Sequence, residues 1–284
     1  MEICTLSPIL FTTNKETRNL YFVGDLHEGN INHAEKEFRE AVKMIADDPG
    51  AIVILMGDYV EAIAPDDKKR FNPLTISKKY GLADLKDLAY KQIQAVYNNL
   101  EPIADKVKVV LVGNHEESFM KYHYSDIYER FLEMFPLKPF KIGEVGIVEQ
   151  KWSLYGKEMG VIRIAICHGM GGGGYLPGYP INRVHQTFRW SEADINVQGH
   201  IHQLVDDTVN VVSSYNGKIK MRKRVRGASG CFLNTYQQGN ANYFESRAAF
   251  KQTDIGMLKV GLRVRIEDKY NKYLQFIPER IKFN

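Results

Sequence analysis

The stretch Ala51-Ile52-Val53-Ile54-Leu55-Met56-Gly57-Asp58-Tyr59-Val60-Glu61 passes from an unbroken apolar block into a glycine and two carboxylates. A short apolar run without polar alternation predicts a strand covered on both faces. The same transition recurs four times. Leu20–Val23 leads into Gly24-Asp25-Leu26-His27, and Val107–Val112 leads into Gly113-Asn114-His115-Glu116. Val161–Cys167 leads into Cys167-His168-Gly169, and Asp194–Gln198 into Gly199-His200-Ile201-His202. Helical periodicity fills the gaps. Asn32–Ala46 places Ala34, Phe38, Ala41, Val42 and Ile45 on one face, and Leu82–Leu100 repeats Leu85, Leu88, Ala89, Ile93, Val96 and Leu100. Ser125–Phe135 reads as a further short helix. Alternating strands and helices predict an α/β domain with ligands at the carboxyl ends of the strands.

A length of 284 residues suits one large α/β domain. A single domain over residues 1–284 is expected, since neither a low-complexity linker nor a repeat interrupts it. Two regions break the rhythm: a polar excursion over Ala64–Tyr80, and a tail from Asp206 that alternates like strands, punctuated by Gly227, Gly230 and Gly239. No apolar run is long enough to span a bilayer, so no membrane partner is expected. Met1-Glu2-Ile3-Cys4-Thr5 lacks a basic region followed by an apolar core, so no signal peptide is expected. Cys4, Cys167 and Cys231 are scattered and form no CxxC pair, which argues against a disulfide framework and for a reducing, cytoplasmic setting. The formal charge of +4 permits a polyanionic partner without demanding one.

The motif residues share one chemistry. Carboxylates, imidazoles and an amide form the mixed nitrogen and oxygen set that suits Mn, Fe, Zn, Co or Ni. Asp25 and His27 share a loop and can serve one ion together. Asp58 stands alone after its strand and is the natural bridge. His200 and His202, two apart on an extended segment, can each address a different ion. Two divalent ions about 3.5–4 Å apart can neutralise a phosphoester, hold a hydroxide between them and align it for in-line attack.

Carried by all five motifs in order, from Tyr21 to Gln203, the chain resembles a calcineurin-like metallophosphoesterase. The resemblance implies a four-layer α/β/β/α sandwich of two mixed sheets flanked by helices. It implies one metal on Asp25, His27 and His202, a second on Asn114, His168 and His200, and Asp58 bridging them, with Mn the first candidate ion. His115 would not bind metal but would sit over the substrate as general acid or charge stabiliser. His33, His123 and His185 belong to no motif and are not assigned to the metals.

Departures from the family's branches narrow the substrate. Protein serine/threonine phosphatases carry arginines that clamp a phosphomonoester; here those positions are Ala62 and Val112, and their motif Asp is Glu61. The double-histidine ending is more similar to the phosphodiesterase and nuclease branch. Lipid-sugar pyrophosphatases share the motif Glu, but they carry Asn-Arg-Asp where this chain has Asn114-His115-Glu116. A phosphodiesterase of nucleic acid or a nucleotide is therefore expected, with DNA or RNA as candidate partners. Its rivals are a phosphomonoesterase of a small metabolite and a non-catalytic nucleic-acid-binding subunit. Two further segments bear on substrate. Gly171-Gly172-Gly173-Gly174-Tyr175 offers backbone amides to a phosphate through Gly172, Gly173 and Tyr175, or else is a turn with Tyr175 as anchor. The run from Lys218 to Arg226 can follow a nucleic-acid backbone, or can be an edge strand guarded by cations. Lys68-Lys69-Arg70 is a weaker basic cluster.

Overall fold

The computed structural model describes residues 1–62, 71–123, 126–169, 171, 176–215, 217–235, 252–268 and 271–283. The first half supplies β1 (Glu2–Phe11), β2 (Thr17–Val23), α1 (Glu35–Ala46), β3 (Ala51–Leu55), α2 (Leu88–Leu100), β4 (Val107–Leu111), α3 (Asn114–His123), α4 (Ile127–Glu133) and β5 (Phe140–Ile142). The second supplies β6 (Val145–Leu154), β7 (Lys157–Cys167), α5 (Tyr179–Thr187), β8 (Ile195–Gln198), β9 (Leu204–Tyr215), β10 (Lys218–Ser229), β11 (Gly256–Ile266) and β12 (Lys272–Lys282).

The strands make two mixed sheets, ordered β12-β11-β2-β3-β4-β5 and β1-β6-β7-β8-β10-β9. In the first, β2, β3, β4 and β5 run parallel, and β11 joins β2 antiparallel. In the second, β7, β8 and β10 run parallel. All three motif-bearing strands of the first sheet, and both of the second, therefore end at the same edge of the molecule. Their continuous apolar character is explained by burial on both sides. Leu20 and Phe22 of β2 face the other sheet together with Ile54, Val109, Ile164 and Val197. Tyr21 and Val23 face outward onto Phe38, Ile45, Ile93 and Phe131 of the helices. On the far side, Val184 and Phe188 at α5 cover Ala165 and Ala228. The order of layers is thus helix, sheet, sheet, helix, as the resemblance implied.

Some boundaries differ from expectation. The first helix begins at Glu35 instead of Asn32, and the Ala34 N–H before it donates to Phe232 O (2.8 Å). The second opens with a 3-10 turn over Leu82–Asp87 and becomes α-helical at Leu88, where the side chains first reach the core. The fourth is shorter, Ile127–Glu133, started by the Asp126 carboxylate accepting from Glu129 N–H (2.8 Å). β1, with Cys4, Leu6, Ile9 and Phe11 buried, was not anticipated, although its near-alternation carries the signal of a one-sided strand. Gly227 does not punctuate the tail: it lies within β10, where a Cβ would stand 2.6 Å from Leu258 Cδ2. No helix among the described residues is long and apolar enough to cross a membrane.

Leu258 of β11 is fully buried between the sheets. Leu258→Ala is expected to lower the unfolding free energy by about 2–5 kcal/mol in chemical denaturation, through lost burial and a residual cavity. A change below 1 kcal/mol would mean that β11 does not pack into this core.

Candidate metal centre

The loops after β2 and β3 continue the parallel pairing of their strands. Asp25 N–H donates to Gly57 O (2.9 Å), Leu26 N–H to Asp58 O (2.8 Å) and Glu28 N–H to Tyr59 O (2.9 Å). Fixed in this way, the loops turn sharply. Asp25, His27, Asp58, His200 and His202 all have positive φ, between 50° and 68°. A left-handed backbone costs a non-glycine residue roughly 1 kcal/mol or more, a cost met where side chains must be aimed. Gly57, at φ 94°, admits the close approach itself: a Cβ there would lie 2.7 Å from His168 Nδ1.

Three overlapping groups result, in each of which the ligand atoms lie within 4.8 Å of one another: Asp25, His27 and His202; His27, Asp58 and His115; Asp58, His168 and His200. His202 Nε2 is 3.3 Å from Asp25 Oδ1 and 3.1 Å from His27 Nε2. His168 Nε2 is 3.2 Å from Asp58 Oδ2 and 3.0 Å from Asn114 Oδ1. The structure thus brings together Asp25, His27, Asp58, Asn114, His115, His168, His200 and His202. It places His33 on Leu26 O (2.7 Å), His123 in a stack with Phe119, and His185 beside Asp207 and Arg226. Gly172, Gly173 and Tyr175, and the cluster Lys68-Lys69-Arg70, lie outside the described residues.

The donor set fits divalent cations. His168 Nδ1–H donates to Met56 O (2.8 Å), and His27 Nδ1 lies 3.2 Å from Glu61 Oε2. Each ring thereby turns the lone pair of Nε2 inward, onto other acceptors. A hydrogen bond to the remote nitrogen is the usual support of a ligating histidine. His200 Nδ1 is buried and has no hydrogen-bond partner among the described residues. Buried lone pairs facing one another call for positive charge between them.

Protons answer the same demand for positive charge. Burial opposes charge on Asp58, yet His168, His115 and His27 hold its carboxyl well below the usual carboxylate range. Burial likewise opposes charge on Asp25, but His202 and His168 keep its carboxyl low. Burial alone would depress His168; Asp58 and Asp25 instead lift it to about 10. Burial and the neighbouring His168 charge push His200 down to about 4. Against its own burial, Glu61 is held at about 2 by His27 and His115.

Two residues with no assigned part in the sequence reading hold the frame. The Glu116 carboxylate accepts four main-chain N–H groups: Gly113 (2.9 Å) and Asp58 (3.1 Å) on Oε2, Tyr59 (2.8 Å) and Val60 (3.2 Å) on Oε1. Burial and the Asp58 charge push this carboxyl up to about 7, while the N–H groups favour its charged form. Buried Tyr59 donates its hydroxyl to Leu111 O (2.6 Å) and accepts Gly57 N–H (3.0 Å), tying the loop after β3 to β4. Both stand inside quoted motifs, but neither partner set follows from spacing. α3 was not expected either. It starts at Asn114, so the N–H of His115 in its first turn donates to Asp58 Oδ1 (2.9 Å), and the helix end favours that negative charge.

A two-sheet sandwich that gathers carboxylates and imidazoles at its strand ends is the framework of a metal-dependent hydrolase. The profile of the calcineurin-like phosphoesterases matches residues 18–204, and the chain belongs to this family. It is a metallophosphoesterase, a hydrolase of phosphoric esters. Among solved structures, a single mutant of Vps29 from Entamoeba histolytica aligns over 94% of this chain and 99% of its own, with 14% identity and a TM-score of 0.36. GAP50 of Plasmodium aligns over 95% and 90%, with 10% identity and a TM-score of 0.43. A protein of Streptococcus pneumoniae TIGR4 described as a predicted phosphoesterase aligns over 94% and 99%, with 10% identity and a TM-score of 0.31. No curated protein matches the sequence significantly.

Glu116→Gln would aim an NH₂ group at N–H donors. It is expected to lower unfolding free energy by about 3 kcal/mol in the presence of chelator, and to weaken divalent-ion binding by titration calorimetry. Unchanged stability and affinity would show that the four N–H groups do not need the carboxylate.

Proposed function

We propose that this metallophosphoesterase is a phosphodiesterase of nucleic acid or a nucleotide, working with two divalent ions, Mn²⁺ the first candidate. The observation that supports the pair is Asp58. Its carboxylate belongs to two of the three ligand groups, facing His27 on one side and His168 on the other. In this reading Asp25, His27 and His202 hold one ion, Asn114, His168 and His200 the other, and Asp58 both. Bound there, the ions would supply positive charge to the phosphoryl oxygens and activate water.

The diester reading rests on the walls. Ala62 is buried, with its N–H on Gln92 Oε1 (3.0 Å), and Val112 packs against the helical core. Neither position offers the planar, bidentate donor that a dianionic monoester favours. A diester carries one charge fewer, and its departing alkoxide, like that of any ester with a poor leaving group, needs a proton. In this reading His115 performs that task. Its Nδ1–H donates to Glu61 O (2.6 Å), its ring meets His27 edge-on at 4.8 Å, and Nε2 is left to carry the proton. Burial works against the imidazolium, but Asp58 and Glu61 raise its pKa above the ordinary histidine value. Cys4, Cys167 and Cys231 are all free and buried, which supports a reducing, cytoplasmic setting.

Initial rates with bis-(p-nitrophenyl) phosphate and p-nitrophenyl phosphate in Mn²⁺ test the reading. Faster diester turnover is expected, with two ions per chain by elemental analysis; a monoester preference would place the protein among phosphatases. Asp58→Asn should abolish paired metal binding and activity. His115→Ala should keep both ions and slow diesters of poor leaving groups by roughly 10²–10⁴-fold, with a smaller loss on p-nitrophenyl diesters. Loss of metal from His115→Ala would make it a ligand instead. Chelator should lower Tm by about 5–10 °C, the shift expected when ligand at about 100 times its Kd is removed.

A further inference from the structure

β9 and β10 pair residue for residue from Leu204↔Ser229 to Tyr215↔Lys218, but β8 supports β10 only over Val225–Ala228. Seven residue pairs therefore continue past the sheet as a free two-stranded ribbon, ~24 Å long at ~3.4 Å per residue. Between Thr208 and Val225 the sequence has five cations and no carboxylate. The whole chain has a formal charge of +4, so everything outside the ribbon sums to −1. The mild overall basicity is thus concentrated in one projecting element.

Alternation sorts the ribbon's faces. Arg222 and Arg224 share one face, opposite Val211 and Val209, and Lys218 and Lys220 occupy the same alternate register positions. Lys223 lies on the other face with Met221 and Val212. Arg222 and Lys223 are exposed and Arg224 is half-buried; among the described residues no acid pairs with any of the three. The acids at the ribbon's base are already engaged, Asp206 by Arg280 (3.0 Å) and Asp207 by His185 (3.0 Å).

We infer that this ribbon docks duplex DNA on a surface separate from the metal centre. A two-stranded ribbon fits the ~12 Å major groove of B-form DNA, whereas the groove of A-form RNA is too narrow. Arg222 and Arg224 stand two residues apart on one face, ~7 Å, and their long guanidinium side chains suit phosphate contacts. Edge protection needs charge of either sign, whereas the ribbon carries five cations and no carboxylate. Arg222 to Arg224 lie ~17–24 Å along β10 from Ser229, after which the chain passes to Phe232 beside Asp25. It is an anchor, not part of the catalytic pocket. The choice of DNA rests on the phosphodiester reading above; the existence of the surface does not.

The test is binding of a labelled duplex of about 24 base pairs, roughly two helical turns, by fluorescence anisotropy in EDTA, where hydrolysis is absent. Wild type should bind with a log–log salt slope near −4, and the combined variant Arg222→Gln, Lys223→Gln, Arg224→Gln should flatten it by about 2–3 and weaken binding at least ~10-fold. Its Tm and its turnover of bis-(p-nitrophenyl) phosphate should match wild type. Equal DNA binding by the variant overturns the inference, as does binding of anionic phosphatidylserine vesicles without binding of DNA. Salt-dependent, ribbon-dependent DNA binding by a protein that prefers monoesters would leave the anchor standing and remove the diester reading instead.

Discussion

Seven side chains gather their donor atoms in a largely buried recess, and the surrounding fold keeps them from moving apart. Asp25, His27, Asp58 and His168 are buried, so none can turn to solvent for relief. Left to local energetics these loops would relax, since five ligand-bearing residues hold a left-handed backbone. They persist because neighbouring backbone is tied down by hydrogen bonds from several directions. The loops after β2 and β3 are laddered together, and Glu116 gathers four N–H groups from the loops after β3 and β4. Strain in the ligand loops and rigidity in the sheets are two aspects of one arrangement.

The segment beyond the family match takes part in that arrangement. Phe232 N–H donates to Asp25 O (2.9 Å), Asp254 N–H to His202 O (3.1 Å), and the Asp254 carboxylate accepts Leu204 N–H (3.0 Å). The tail thus satisfies main-chain groups of two ligand loops that the core strands leave unpaired. It also adds β11 beside β2 and extends β10 into the ribbon. One stretch of chain stabilises the centre at one end of the molecule and carries the cations at the other. The site's own electrostatics demand positive charge, while the ribbon offers it. Under the proposed function, a phosphodiester polymer would answer to both, its scissile phosphate at the centre and its backbone on the ribbon.

Much was legible before the structure. Each apolar run that ends in glycine and a ligand became a strand end, because a strand buried on both faces must be apolar throughout and can expose chemistry only where it stops. The eight motif residues converge for the same reason. Less legible were elements whose cause lies elsewhere in the chain. β1 is one-sided and short of strong β-formers at Ser7 and Pro8; α3 begins within a motif that reads as a loop; Gly227 resembles a turn but answers to Leu258 across the sheets.

The sequence by itself determined the donor chemistry, the alternation of strand and helix, and the concentration of cations from Lys218 to Arg226, since these are properties of residue type and local order. Tertiary structure alone decided that Asp58 faces two groups of histidines, that Glu116 serves backbone instead of metal, and that the basic run leaves the sheet as a ribbon. Each of these depends on which distant backbone groups remain unpaired once the strands have associated, and no local window of sequence contains that information.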